Sequence, residues 1–508
     1  MEDRLYTAEE VRRLDRAAMD AGIPGLVLME RAGEGVVDAI DTRWPRIGEL
    51  RVVVLAGGGN NGGDGYVVAR RLRERGCRVD LIAASDPDRL QGDAAQAARR
   101  WREEGGEVLP ASASPAGYDL VVDALLGTGL DREVRPPYRE LIEAANADTA
   151  PVVAVDIPSG LHSDTGQVLG VAAAAELTVT FVGLKRGLFT AEGPGTAGEV
   201  RFEGLGIPEG IRSARPAAGR RLVAAALRLE ARRGNAHKGD FGRVVVAGGA
   251  TGTTGAAVMA AWSALRGGAG WVVCCLPREA SAQATASRPE LMTAAWDSDT
   301  GLPEAATARS GVLAVGPGMG RSAQALTLLE DALAQPVPVV VDADGLNLLA
   351  EHPHLVEAAA CRDAPTVLTP HPGEAARLLG TEPGRVQADR FEAAQRIAER
   401  YDAVCCLKGA GSVVRAPDGR YAVNPTGNPG MAMAGQGDVL TGIVAARLAA
   451  DRGDAFQASC RAVWAHGRAA DRVAEERGPF GYTATECADA LPGVWAELVP
   501  APRAAANN

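Results

Sequence analysis

Arg51-Val-Val-Val-Leu-Ala-Gly-Gly-Gly-Asn-Asn-Gly-Gly-Asp64 decides how the first half of this chain is read. The apolar run ending at Ala56 is a buried strand. Seven consecutive Gly or Asn residues follow, from Gly57 to Gly63, and Asp64 closes the loop. Glycine adopts positive φ without steric cost, and Asn tolerates it better than most residues. Such a loop gathers backbone N–H groups into one concavity at the positive end of the next helix, predicted over residues 65–75. A helix cap by Asp64 alone needs far less glycine.

Outward from that stretch, strands are predicted at 78–83, 120–123, 152–156 and 177–181. Helices at 91–104 and 138–147 lie between them, and helices at 12–19 and 26–40 precede them. Apolar strands alternating with helices imply a doubly wound parallel sheet. Periodicity is lost across 204–221, a segment rich in Gly, Pro, Arg and Ala, which sets domains at 1–210 and 222–500. The second domain repeats the α/β pattern with strands at 243–247, 270–276, 312–315, 337–341, 366–369 and 404–407. A short pair at 412–415 and 420–423 follows, then helices near 438–448, 456–475 and 483–497; residues 501–508 read as disordered.

A chain of 508 residues has room for two or three domains. Its net charge of -11 excludes a general binder of nucleic acid or anionic membrane, which needs a basic surface. An anionic ligand must then be held locally, by backbone N–H groups and a few cations. The eight cysteines include no Cys-x-x-Cys pair and fall in apolar runs, as in a reduced, cytoplasmic protein. The start of the chain lacks the basic and apolar segments of a signal peptide. The uncharged stretch 244–265 is broken by glycines, so a strand, loop and helix explain it better than a membrane span. Only three lysines accompany the arginines: Lys185, Lys238 and Lys408, each beside glycine. A lysine kept in so arginine-rich a chain suits a task needing a compact point charge.

Two further loops close strands of the first domain: Asp123-Ala-Leu-Leu-Gly127-Thr128-Gly129-Leu130-Asp131 and Asp156-Ile-Pro-Ser159-Gly160. Ligands of open parallel sheets bind at that edge. Asn61, Asp123 and Ser159 combine one carboxylate with neutral oxygens, a donor set for a hard monovalent cation. Asp156 is a separate acid able to exchange protons. Lys185, beyond the next strand, is a candidate for phosphate binding or proton transfer. In the second domain, Gly435-Gln-Gly437-Asp438 opens a helix whose free N–H groups can bind a phosphoryl group, with Asp438 placed to take a proton from a hydroxyl. Lys408-Gly409-Ala410-Gly411-Ser412 can approach a nucleotide closely. Thr369-Pro-His371-Pro-Gly-Glu374 offers His371 to a substrate and Glu374 to a magnesium-bound water. Gly316-Pro-Gly318-Met-Gly320 and Asp342-Ala-Asp344-Gly345 close two more apolar strands.

Gly-Asn-Asn-Gly-Gly-Asp-Gly, Val-Asp-Ala-Leu-Leu-Gly-Thr-Gly and Asp-Ile-Pro-Ser-Gly-Leu, in this order, resemble the NAD(P)HX epimerase family over about residues 5–205. That resemblance implies a Rossmann-like domain, a potassium ion at Asn61, Asp123 and Ser159, and interconversion of the R and S epimers of hydrated NAD(P)H. The hydrated nucleotide would lie along Asn60, Asn61, Gly62, Gly63, Asp64, Gly127, Thr128, Gly129, Leu130, Asp131, Arg132, Glu133, Tyr138 and Asp156. Residues 225–498 resemble the ADP- or ATP-dependent NAD(P)HX dehydratases, a branch of the ribokinase-like fold. The resemblance rests on His237-Lys238-Gly239, Thr254-Gly255-Ala256, Gly-Pro-Gly-Met-Gly, Asp-Ala-Asp-Gly, Thr-Pro-His-Pro-Gly-Glu and the run from Gly427 to Asp438. It implies a hydrate site at Ala256, Gly318, His371 and Asp438, an ADP site at Lys408, Gly409, Ala410, Gly411, Ser412 and Gly437, and magnesium with the nucleotide. Asp156 and Asp438 are the catalytic candidates. The expected protein is a cytoplasmic, homo-oligomeric repair enzyme acting on small molecules and binding neither nucleic acid nor membrane. The rival reading is a ribokinase-like sugar or vitamin-precursor kinase with a non-catalytic N-terminal module.

Overall fold

In the computed structural model the chain divides between Arg220 and Arg221 into two compact units. The residues described are 3–214, 217, 219–296, 302–303, 311–451 and 453–500. The expectation for residues 501–508 lies outside them.

Among the described residues, the N-terminal unit carries seven parallel strands in the order β4-β3-β2-β5-β6-β7-β9. These are β2 (Arg51–Ala56), β3 (Arg78–Ala83), β4 (Val108–Pro110), β5 (Leu120–Ala124), β6 (Val152–Val155), β7 (Leu177–Phe181) and β9 (Glu199–Glu203). A short strand β1 (Arg4–Tyr6) pairs in parallel with β8 (Leu184–Lys185). Helices α1 (Ala8–Asp20), α2 (Gly25–Arg43), α3 (Asn60–Glu74), α4 (Gly92–Glu103) and α5 (Tyr138–Ala147) complete the framework. Central strands read as unbroken Val and Leu because both faces are covered: Val52, Val53, Val54 and Leu55 are all buried. Strand order reverses between β2 and β5, so the loops after these two strands flank one crevice.

Among the described residues, the C-terminal unit has strands in the order β13-β12-β11-β14-β15-β16-β17-β18-β19. They are β11 (Arg243–Ala247), β12 (Trp271–Pro277), β13 (Met292–Trp296), β14 (Val312–Val315), β15 (Val339–Val341), β16 (Thr366–Leu368), β17 (Val404–Leu407), β18 (Val413–Arg415) and β19 (Tyr421–Val423); one further short strand, β10 (Gly219–Arg221), precedes them in the chain. Pairing is parallel through β17 and antiparallel at β18 and β19. The helix Gln436–Asp451 is apolar on every side and buried along most of its length, as a helix inside a large core must be. Gly442 lets it approach the helix Thr254–Arg266: a Cβ there would lie 1.9 Å from the Ala260 carbonyl oxygen. The stretch 244–265 is strand β11 followed by that helix, and no helix among the described residues is long and apolar enough to cross a membrane. All eight cysteines are free and only Cys361 is exposed.

Candidate active sites

In the N-terminal unit, α3 begins at Asn60, five residues earlier than the sequence suggests. Asp64 therefore stands inside the helix, and Gly59 takes the N-cap position without a side-chain bond. Packing overrides the poor helix propensity of glycine here. A Cβ on Gly62 would sit 2.0 Å from the Gly57 carbonyl oxygen, so only glycine lets the first turn fold back on the end of β2. Gly62 and Gly63 are buried in this contact, while Asn60, Asn61 and Asp64 face a cavity of about 740 Å³. The loop from Gly127 to Arg132, Tyr138, Asp156 and Lys185 line the same cavity; Glu133 is exposed and does not. Tyr138 is held by its hydroxyl, which accepts from Gly58 N at 3.3 Å and lies 2.7 Å from Ser85 Oγ.

Asp123 ends β5 almost without exposure. Its Oδ1 accepts from Ser159 Oγ at 2.6 Å and from Leu125 N at 3.2 Å; its Oδ2 accepts from Ser159 N at 2.7 Å. Among the described residues no cation pairs with it, and burial raises its pKa despite these bonds. The Asn61 side-chain nitrogen is buried without a hydrogen-bond partner. Turning that amide over places its oxygen there instead. An unpaired buried carboxylate, a buried hydroxyl and an unpartnered amide fit a monovalent cation.

Asp156 adopts φ +68°, in the left-handed region, at the turn after β6. The strain aims its carboxylate at Lys185, with which it forms a tight ion pair. The buried Lys185 ammonium also donates to Phe181 O at 2.8 Å and Thr180 Oγ1 at 3.0 Å. Lys185 thus holds an acid.

The C-terminal site gathers the ends of parallel strands. Lys408, after β17, places Nζ 2.8 Å from Asp342 Oδ1 and 3.7 Å from Glu374 Oε2. Thr441, one turn into the helix Gln436–Asp451, donates to Asp342 Oδ2 at 2.7 Å. Burial opposes the charge on Lys408, yet Asp342 and Glu374 hold its pKa above the usual lysine value. Asp438 is pushed up to about 7, first by burial and then by Asp342, with Lys408 opposing. His371 caps the helix Pro372–Leu379: its Nδ1 accepts from Gly373 N at 2.9 Å, while Glu374 Oε2 accepts from His371 N at 2.8 Å. Burial lowers the pKa of His371 and raises that of Glu374. Gly318 meets the start of the helix Thr254–Arg266, its carbonyl accepting from Thr253 Oγ1 at 2.7 Å, and a Cβ on it would lie 3.0 Å from that of Ala256. Ser412 closes the 408–412 loop by donating to Gly409 O at 3.1 Å.

Family models match both units: one described as YjeF-related protein N-terminus over residues 25–187, the other as NAD(P)H-hydrate dehydratase over residues 244–493. The bifunctional NAD(P)H-hydrate repair enzyme of Coxiella burnetii is 42% identical over 489 residues, covering 95% of this chain and 97% of that one. The chain belongs to the bifunctional NAD(P)H-hydrate repair enzymes. A Bacillus subtilis ADP/ATP-dependent NAD(P)H-hydrate dehydratase, co-crystallised with ATP and magnesium, is 31% identical over 54% of this chain and 96% of that one, with a TM-score of 0.48. A ribokinase-like superfamily protein from Enterococcus faecalis is 26% identical, covering 56% and 97%, with a TM-score of 0.50.

As a repair enzyme the chain carries an epimerase unit and a dehydratase unit, each with its candidate site at the C-terminal ends of parallel strands. Lys238 belongs to neither. It is exposed, with Nζ 4.2 Å from the centre of the Trp271 ring. Its carbonyl abuts Gly270, just before β12, at the strand edge away from Asp342 and Lys408. Gly270 serves that packing, and Lys238 stands apart from the residues gathered around Asp342 and Lys408. Two residues of this site were missing from the candidates read from the sequence. Asp342 is one: its Asp-Ala-Asp-Gly motif was visible at a strand end, but its pairing with Lys408 was not. Arg390 is the other: it is buried and its Nη2 donates to Leu407 O at 3.1 Å and Lys408 O at 3.2 Å, steadying the strand end that presents Lys408.

Proposed function

We propose that the two units act in series on hydrated NADH and NADPH, the N-terminal unit interconverting R and S epimers and the C-terminal unit dehydrating the S epimer at the expense of ADP. The observation that carries the reading is Asp438. It sits in the first turn of the helix Gln436–Asp451, beside Lys408, Asp342 and Glu374, with a pKa moved to about 7. An acid so placed takes the proton of the C6 hydroxyl as that oxygen attacks the terminal phosphoryl group of the nucleotide. Backbone N–H groups at the helix start receive the charge growing on the transferred group. Phosphate is a far better leaving group than hydroxide, so its departure from C6 with loss of a C5 proton restores the dihydropyridine. Lys408 and the Gly409–Ser412 loop hold the nucleotide phosphates; Ala256, Gly318 and His371 hold the hydrated ring.

Magnesium would sit with the nucleotide near Glu374 and Asp342, where it shields phosphate charge. In the epimerase unit, Asn61, Asp123 and Ser159 would hold potassium, which balances the buried carboxylate and fixes the loops after β5 and β6. Asp156, oriented by Lys185, exchanges protons with the substrate.

A kinase on the same fold would leave a stable phosphorylated product. The test is S-NADHX with ADP or ATP, following NADH absorbance, free phosphate and AMP. One phosphate and one AMP per NADH, faster with ADP, supports the reading; accumulation of a phosphorylated dinucleotide refutes it.

A further inference from the structure

Inversion at one carbon needs a proton donor for the departing group as well as an acceptor for the proton shed on its return. Asp156 supplies one such group, and Lys185, its only basic partner among the described residues, is already committed to it. Asp15 supplies a second carboxyl, from a different element. Val11, Asp15 and Met19 stand at i, i+4 and i+8 of α1, and all three line the 740 Å³ cavity that also holds Asp156 and Lys185. Among the described residues, no hydrogen bond or ion pair engages the Asp15 carboxyl. The other charged or titratable groups lining the cavity are Arg12 on the same helix, Asp64 and Asp93 on α3 and α4, Asp131 and Arg132 after β5, Tyr138 at the start of α5, and the Asp156–Lys185 pair. Arg12 is drawn away to Glu9, 3.3 Å from its Nε. Three acids, Asp15, Asp64 and Asp156, therefore share one buried amine.

We propose that Asp15 is the proton donor that releases the C6 hydroxyl in the epimerase unit. The inference rests on the epimerase reading of that unit. The Asp15 proton passes to the hydroxyl; the C6–O bond breaks and its electron pair leaves with water. The N1 lone pair forms N1=C6. Water then adds to the other face of C6, a new C6–O bond forms, the π electrons return to N1, and the proton shed by that water passes to the Asp156 carboxylate. No oxidant or reductant is needed. The pair ends with its protons exchanged, which is the state that runs the reverse reaction, and exchange with solvent resets it. Burial supports the role by raising the Asp15 pKa to about 6, with Asp156 adding to the effect and Lys185 opposing it. Burial first, and then Asp156 and Asp15, also push the Asp64 carboxyl well above the usual carboxylate range, with Lys185 opposing.

The experiment uses the full chain, R-NADHX without nucleotide, and chromatographic separation of the epimers after subtraction of spontaneous interconversion. Asp15→Asn should lower kcat at least ~100-fold, as expected for a lost general acid, with little change in KM. Asp15→Glu should keep measurably more activity than Asp15→Asn. In the wild type, kcat/KM should fall as pH rises above about 6, where Asp15 loses its proton, and this limb should vanish in Asp15→Asn. Dehydration of S-NADHX with ADP, measured in the same preparations, should not change. An Asp15→Asn variant with near-wild-type kcat, or one altered only in KM, overturns the proposal, as does an Asp15→Glu variant no better than Asp15→Asn. A wild-type chain that leaves R-NADHX untouched overturns the epimerase reading beneath it.

Discussion

Replacing Asp342 by Asn should shift the pH dependence of dehydration toward acid. A base must be ionised to work, so the rate rises with pH through the pKa of Asp438, about 7 in the free protein against an ordinary 3.8. At about 1.4 kcal/mol for each tenfold change in ionisation, the site disfavours the Asp438 carboxylate by about 4 kcal/mol. Burial is the larger cause and Asp342 the second. A like charge in the same cluster, at an effective dielectric near 20, contributes on the order of 2 kcal/mol. Removing it should move the limb down by about one pH unit or slightly more. Asn is the conservative choice, because its oxygen can still accept from Lys408 and its amide can donate to the Thr441 hydroxyl, which reverses its role. Freed of its partner charge, Lys408 would press the Asp438 pKa further in the same direction. The assay is kcat/KM for S-NADHX at saturating ADP between pH 5 and 9, which reports the groups of the ADP-bound enzyme before the hydrate binds. A limb that stays in place, or moves up, refutes the electrostatic account of Asp438.

Other outcomes follow from the remaining contacts. The Asp123 pKa is raised by burial, so in the cation-free protein folding stability falls as pH rises past the unfolded value, where the buried group must ionise. A bound cation reverses that loss; the Tm at pH 7.5 should rise in KCl relative to choline chloride, by up to about 2.7 kcal/mol of stabilisation at a hundredfold excess over Kd. Asp123→Ala should abolish both this dependence and epimerisation while S-epimer dehydration continues. Lys408→Arg should raise the KM for ADP without touching epimerisation, because a planar guanidinium cannot replace the ammonium between Asp342, Glu374 and the Gly437 backbone. Lys185→Arg should impair only epimerisation, by disturbing Asp156. Lys238→Arg should leave both activities intact, since an arginine stacks on Trp271 as well as a lysine does.

Strands buried on both faces were legible with little error: 243–247, 312–315 and 404–407 coincide with β11, β14 and β17 because uninterrupted apolar runs have few other uses. The edge strands β4, β9 and β13 were missed. Their residues are half-exposed and polar or mixed, so no run or alternation marks them. The start of α3 was missed for another reason: glycines that read as loop are there to let a helix press against a strand end. In the sites, motifs at strand ends displayed the candidate residues but not their partners. The pairing of Lys185 with Asp156 spans 29 positions and that of Lys408 with Asp342 spans 66, distances over which no local pattern operates. Asp15 carries no motif at all; its helix looks like any amphipathic helix until the fold turns that face to the cavity.

The central claim is that one chain runs two separable reactions in sequence. The direct test is pure R-NADHX given to the Asp438→Asn variant with ADP, resolving R, S and NADH by chromatography. The account predicts that the epimers equilibrate at the wild-type rate while NADH recovery falls at least ~100-fold, the loss expected when a general base is removed. Normal NADH recovery, or R-NADHX left unconverted, would contradict it.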